Sequence, residues 1–148
     1  MVEATEGLVI LPVIAFGVVL GLYELILVHK DENFRGSHWF GHGIHAIGFM
    51  IAGLFIVMNT EYFLALTNLG DTIPYITNPL ILRILVGLIL NIKMHSASAL
   101  AKGTLASRGM TEHWTHTTII SALVIASPYI WFNLGVQNLT PSWIGGNA

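Results

Sequence analysis

Apolar residues in this chain neither alternate nor keep to one narrow stripe. They fall into four long blocks separated by polar links. A helix that is apolar on all sides belongs in a large core or in lipid, and about 20 such residues cross a hydrocarbon layer. The pattern predicts four helices, over about 7–28, 38–58, 79–100 and 111–134. The first holds Pro12 in its opening turns and Glu24 near its end, and its N-terminal flank has no Lys or Arg. It is too long for the apolar core of a secretory leader, so it is expected to stay as a span. The second is rich in glycine, at Gly41, Gly43, Gly48 and Gly53, as closely packed membrane helices are. The 59–78 connection carries Glu61, Asp71, Pro74 and a short apolar piece, Tyr62 to Leu66, expected to lie along the interface. Asn78-Pro79 reads as an N-cap followed by proline at the first helical position. The third block carries Arg83 and Lys93, which must snorkel to the surface or be paired inside, and the fourth contains Pro128.

Composition sharpens this into a fold class. Of 148 residues, 54% are hydrophobic and 9% charged, against about a quarter charged in soluble domains. The expectation is an all-α integral membrane protein: one domain over 1–148, a bundle of four transmembrane helices in a cell membrane, with the lipid bilayer as its first partner. Lys30 and Arg35 follow the first block, and Lys102 and Arg108 follow the third. By the positive-inside rule both short links face the cytoplasm and both termini face outside. A net charge of −2 without runs of like charge excludes a nucleic-acid surface. With no cysteine there is no disulfide and no thiolate ligand, so a metal must be held by His, carboxylate or carbonyl groups.

The candidate chemistry lies in the seven histidines: His29, His38, His42, His45, His95, His113 and His116. All fall towards the cytoplasmic side of the expected topology. His38, His42 and His45 share one face of the second helix with Gly41, Gly48 and Ala52. Small residues mark helix contacts, so that face is expected to look into the bundle. On the third helix Arg83, Gly87, Asn91, His95, Ser98 and Lys102 form one stripe, expected to be its inward face. Glu24 shares a side with Gly17 and Gly21, whose spacing reads as internal helix packing, and His113 and His116 sit one turn apart on the fourth helix. Each helix thus offers ligand-type side chains at similar depth. Glu24, His38, His42, His45, His95, His113 and His116 are the candidate metal set, with His42, His45, His95 and His116 the candidate cofactor ligands.

Three readings of this polar layer stand side by side. It is a copper, iron or zinc centre, imidazoles one turn apart being good chelators; or it holds haem b between imidazoles of two helices; or it binds nothing, and the histidines hydrogen-bond across helices or meet head groups. The spacings His38-x-x-x-His42 and His113-x-x-His116 loosely resemble the histidine boxes of membrane di-iron desaturases and hydroxylases. The chain has no His-His pair, and the resemblance does not extend to the activity. The expected function is a small transmembrane subunit of a larger membrane complex, an oxidoreductase or monooxygenase assembly. It would pack against other membrane subunits and contribute the His/Glu metal or haem site, acting as a non-catalytic or cofactor-carrying subunit rather than a stand-alone enzyme. The alternative is a small proton- or cation-conducting transporter or channel using the same layer.

Overall fold

The computed structural model describes residues 8–30, 39–102, 114–133, 135, 138 and 141; the side chains of 27–30, 39–43, 46 and 96–102 are not among those described. Every regular element among these residues is helical: α1 (Leu11–Lys30), α2 (Trp39–Met58), α3 (Thr60–Thr67), α4 (Leu69–Thr72), α5 (Pro79–Lys102) and α6 (Trp114–Asn133), with a 3₁₀ turn at Pro74–Thr77. Pro12 lies in the first turn of α1, where its missing N–H costs nothing. Asn78 caps α5 as its sequence demands, its Oδ1 accepting from the Leu80 N–H at 3.0 Å. Pro128 cannot supply the N–H that Val124 expects, and the Ser127 hydroxyl donates to that carbonyl instead, at 2.7 Å.

The four long helices run up and down in sequence order. Along α1 and α2 the contacts pair Val9 with Asn59, Gly17 with Ile51 and Gly21 with Ile47, an antiparallel register. α2 meets α5 through Val57 with Arg83, Gly53 with Leu90, and Phe49 with Lys93. α5 meets α6 through Arg83 with Tyr129, Gly87 with Ile125, Asn91 with Thr118, and His95 with Trp114. An edge-to-face pair, Phe16 with Trp131 at 6.5 Å, joins α1 to α6.

Glycine sets the closest approaches. A Cβ built on Gly21 would lie 2.7 Å from Ile47 Cγ1 and 3.1 Å from its Cα, and one on Gly87 would lie 2.5 Å from Ile125 Cδ1. The Gly17-x-x-x-Gly21 pair is therefore used within the chain, between α1 and α2. Inside sit Met50, Leu54, Val57, Ile120 and Val124.

Helix hydropathy supports less than four spans. Among the described residues one helix, Trp114–Asn133, is long and apolar enough to cross a membrane, and two are if the pair Ile47–Met58 and Thr60–Thr67, bent by 93°, counts as one. Leu11–Ile26 is a shorter apolar helix, and α5 carries Arg83 and Lys93.

Candidate functional site

Of the face expected to look inward on the second helix, the described part points the other way. His45, Gly48 and Ala52 are exposed on α2, and a Cβ on Gly48 would meet nothing within 4 Å. The buried side belongs to Met50, Gly53, Leu54 and Val57. His45 lies nine residues before the fully buried Leu54, which at about 100° per residue places it on the opposite face. Larger apolar side chains won the inner face because they fill more of the space between α1, α5 and α6, where van der Waals packing decides. The His45 ring instead lies against Phe49, centroids 5.2 Å apart.

On α5 the described part of the expected stripe, Arg83 to His95, turns towards the bundle. Gly87 and Asn91 are buried, and Arg83 and His95 are half-buried. Asn91 anchors a polar seam between α5 and α6: its amide donates to Thr118 Oγ1 at 3.1 Å, and the Thr117 hydroxyl reaches Asn91 Oδ1 at 3.3 Å. One turn along α5, His95 stacks on Trp114 with ring centroids 3.8 Å apart. His95 Nδ1, His116 Nδ1 and Ser121 Oγ are buried without a hydrogen-bond partner among the described residues. Buried polar atoms of this kind mark places where a further group binds or where polarity is used.

Glu24 is also inside, at 3% exposure. Lys93 is exposed, its Nζ 4.8 Å from the centre of the Phe49 ring, a cation–π contact. Arg83 does not simply reach outward. Its Nε donates to the Val57 carbonyl at 3.2 Å and its Nη1 to the Tyr129 hydroxyl at 3.2 Å, so it closes the end of α2 against α6.

The structure therefore places Glu24 inside, His95 and His116 half-buried with Nδ1 turned away from the surface, and His45 outside. His29 and His42 have side chains outside the described set, and His38 and His113 lie outside the described residues. Among the described residues no three His, Asp or Glu side chains gather into a group that could hold a metal. Sequence reasoning missed Thr117, Thr118, Ser121 and Trp114 as parts of the seam. The Thr117 and Ser121 spacing of one turn on an otherwise apolar helix is the signal that would have found them.

Chemically, the seam offers the His95 imidazole one turn from a hydrogen-bonded amide and two threonine hydroxyls, while His116 on α6 holds a second buried Nδ1 without a partner among the described residues. Such a set can ligate a metal or haem iron, or pass a proton. No protein-family model, curated protein or solved structure matches the chain, so its function is argued from these residues.

Proposed function

We propose that the chain is an integral membrane protein whose four long helices all cross the bilayer, with both termini outside, and that it serves as a small subunit of a larger membrane complex. The observation that carries the reading is an apolar exterior around an interior that holds polar groups beside its apolar core. Glu24, Asn91, Thr117, Ser121 and Ser127 are buried, while Val19, Leu88, Ile89 and Ile92 are exposed, Ile89 by 65%. In water the exposed faces would form an apolar surface that monomeric proteins do not tolerate; in lipid they are the solvated side. Length agrees: helices of 20, 20, 24 and 20 residues extend about 30 Å or more at about 1.5 Å per residue, the thickness of the hydrocarbon layer. Arg83 and Lys93 are accommodated because one is hydrogen-bonded at a helix end and the other reaches along Phe49.

The subunit role rests on the outer face of α2, where Gly48 and Ala52 leave room for a foreign helix to approach beside His45. Within a complex of the oxidoreductase or monooxygenase type, His95 and His116 would supply imidazole ligands for copper, iron, zinc or haem b. The same buried nitrogens also favour a second reading, a proton- or cation-conducting channel or transporter.

One preparation tests both. The protein is extracted in mild detergent and purified, and co-purifying subunits, bound metal and the visible spectrum are read together. The subunit reading expects larger membrane proteins to travel with it, and stoichiometric metal or a Soret band that disappears in His95→Ala and His116→Ala. A lone, metal-free chain that moves protons in liposomes would replace it with the second.

A further inference from the structure

α3 leaves α2 at 93° across a single residue, Asn59. The corner is held from three sides. Asn59 accepts the Val9 N–H at 2.7 Å and donates to the carbonyls of Val9 and Phe55. The Thr60 hydroxyl turns back to the carbonyls of Ile56 and Val57, and Arg83 Nε reaches Val57 as well. Carbonyls in the last turn of α2 are thus taken by side chains of the junction residue, of α3 and of α5, which fixes the direction of α3.

The residues of α3 sort by direction. Thr60, Phe63 and Leu64 turn to the bundle, Phe63 and Leu64 packing on its core. Glu61 and Ala65 are exposed on one flank, Tyr62 and Leu66 on the other. Leu66 is 65% exposed, and further along the same connection Tyr75 is 80% exposed beside the exposed Ile73. Where α5 then begins, Leu80, Ile81 and Ile84 continue the exposed apolar surface. Apolar and tyrosyl side chains on one flank with a carboxylate on the other is the arrangement of a segment lying in a membrane interface.

We propose that α3 and the Pro74–Thr77 turn form an interfacial plate whose partner is the boundary between lipid headgroups and acyl chains. Tyr62, Leu66 and Tyr75 enter that boundary, and Glu61 and Asp71 stay in water. The inference rests on the membrane reading above and adds that α3 lies flat on the bilayer instead of entering it.

Because the chain has no cysteine, a nitroxide can be attached at one introduced site at a time. Leu66→Cys, Tyr75→Cys, Glu61→Cys and Ile89→Cys, all at exposed positions, are labelled and reconstituted into phosphatidylcholine liposomes. Accessibility to oxygen and to a water-soluble nickel chelate is then measured by electron paramagnetic resonance. The oxygen preference should fall in the order Ile89, then Leu66 and Tyr75, then Glu61, with the Leu66 label about 5–10 Å below the headgroups. A Leu66 label as open to nickel as the Glu61 label overturns the plate. One as deep as the Ile89 label overturns it in favour of a broken span or re-entrant loop. A nickel-accessible Ile89 label removes the membrane reading itself, and the plate with it.

Discussion

Replacing Asn59 by alanine is the sharpest test of how this fold is fastened. Asn59 is 7% exposed, and its amide makes three hydrogen bonds: from the Val9 N–H at 2.7 Å, to the Val9 carbonyl at 3.2 Å and to the Phe55 carbonyl at 3.1 Å. A net hydrogen bond contributes about 0.5–1.5 kcal/mol, and interhelical ones in bilayers fall near the low end. Three together predict a loss of about 2–4 kcal/mol, larger if the Val9 groups stay unsatisfied. Denaturant titration in detergent, followed by circular dichroism, reads the difference directly. Asn59→Asp sharpens it: the carboxylate still accepts from Val9 N–H but faces the Val9 and Phe55 carbonyls with no donor, so it should be at least as damaging as alanine. Loss below about 0.5 kcal/mol for Asn59→Ala, or an aspartate as stable as the parent, would refute the clamp.

Other predictions follow from particular contacts. Gly21→Ala should destabilise the purified chain by about 1–3 kcal/mol through its contact with Ile47, whereas Gly48→Ala should not lower its unfolding midpoint and, under the proposed subunit role, should weaken co-purification of partners. Ser127→Ala should cost about 1 kcal/mol in the same titration, because Pro128 leaves Val124 without another donor. Asn91→Leu breaks the seam to Thr117 and Thr118 and should lower stability by about 1–2 kcal/mol, with Thr117→Val adding less on that background than alone, as coupled residues do. If His95 ligates a metal, exchanging it for alanine lowers the bound metal while leaving the helical signal intact, and Trp114→Leu, which removes the stacking ring, weakens metal retention by a smaller factor.

Helix placement was legible in the sequence because block length and the Asn78-Pro79 start signal are local properties. The structure starts α5 at Pro79 and turns the Arg83, Gly87, Asn91, His95 stripe inward. Facing on α2 was not legible. The rule that small residues mark contacts applied to Gly17, Gly21, Gly53 and Gly87, yet failed for Gly48 and Ala52, because both sides of α2 are nearly equally apolar and only packing with α1, α5 and α6 chooses between them. Arg83 shows the same limit: a cation in an apolar run reads as either reaching for water or paired inside, and the partners that decide it, Val57 and Tyr129, lie 26 and 46 residues away. The polar seam was half visible, since Asn91 and His95 stood out against their neighbours and Thr117 and Ser121 did not.

The Asn59 clamp also orders assembly. Its partners, Val9 and Phe55, are 50 and 4 residues away and all precede α5 in the chain. As the chain emerges, the α1–α2 hairpin has every group it needs to fasten itself before Arg83 or α6 exists, in keeping with N-terminal parts folding first during synthesis. Arg83 then bonds backward to Val57 and must wait for Tyr129, the last of the three to appear. Chain order thus lets a fastened first pair precede the second, with the arginine contacts the last that can close.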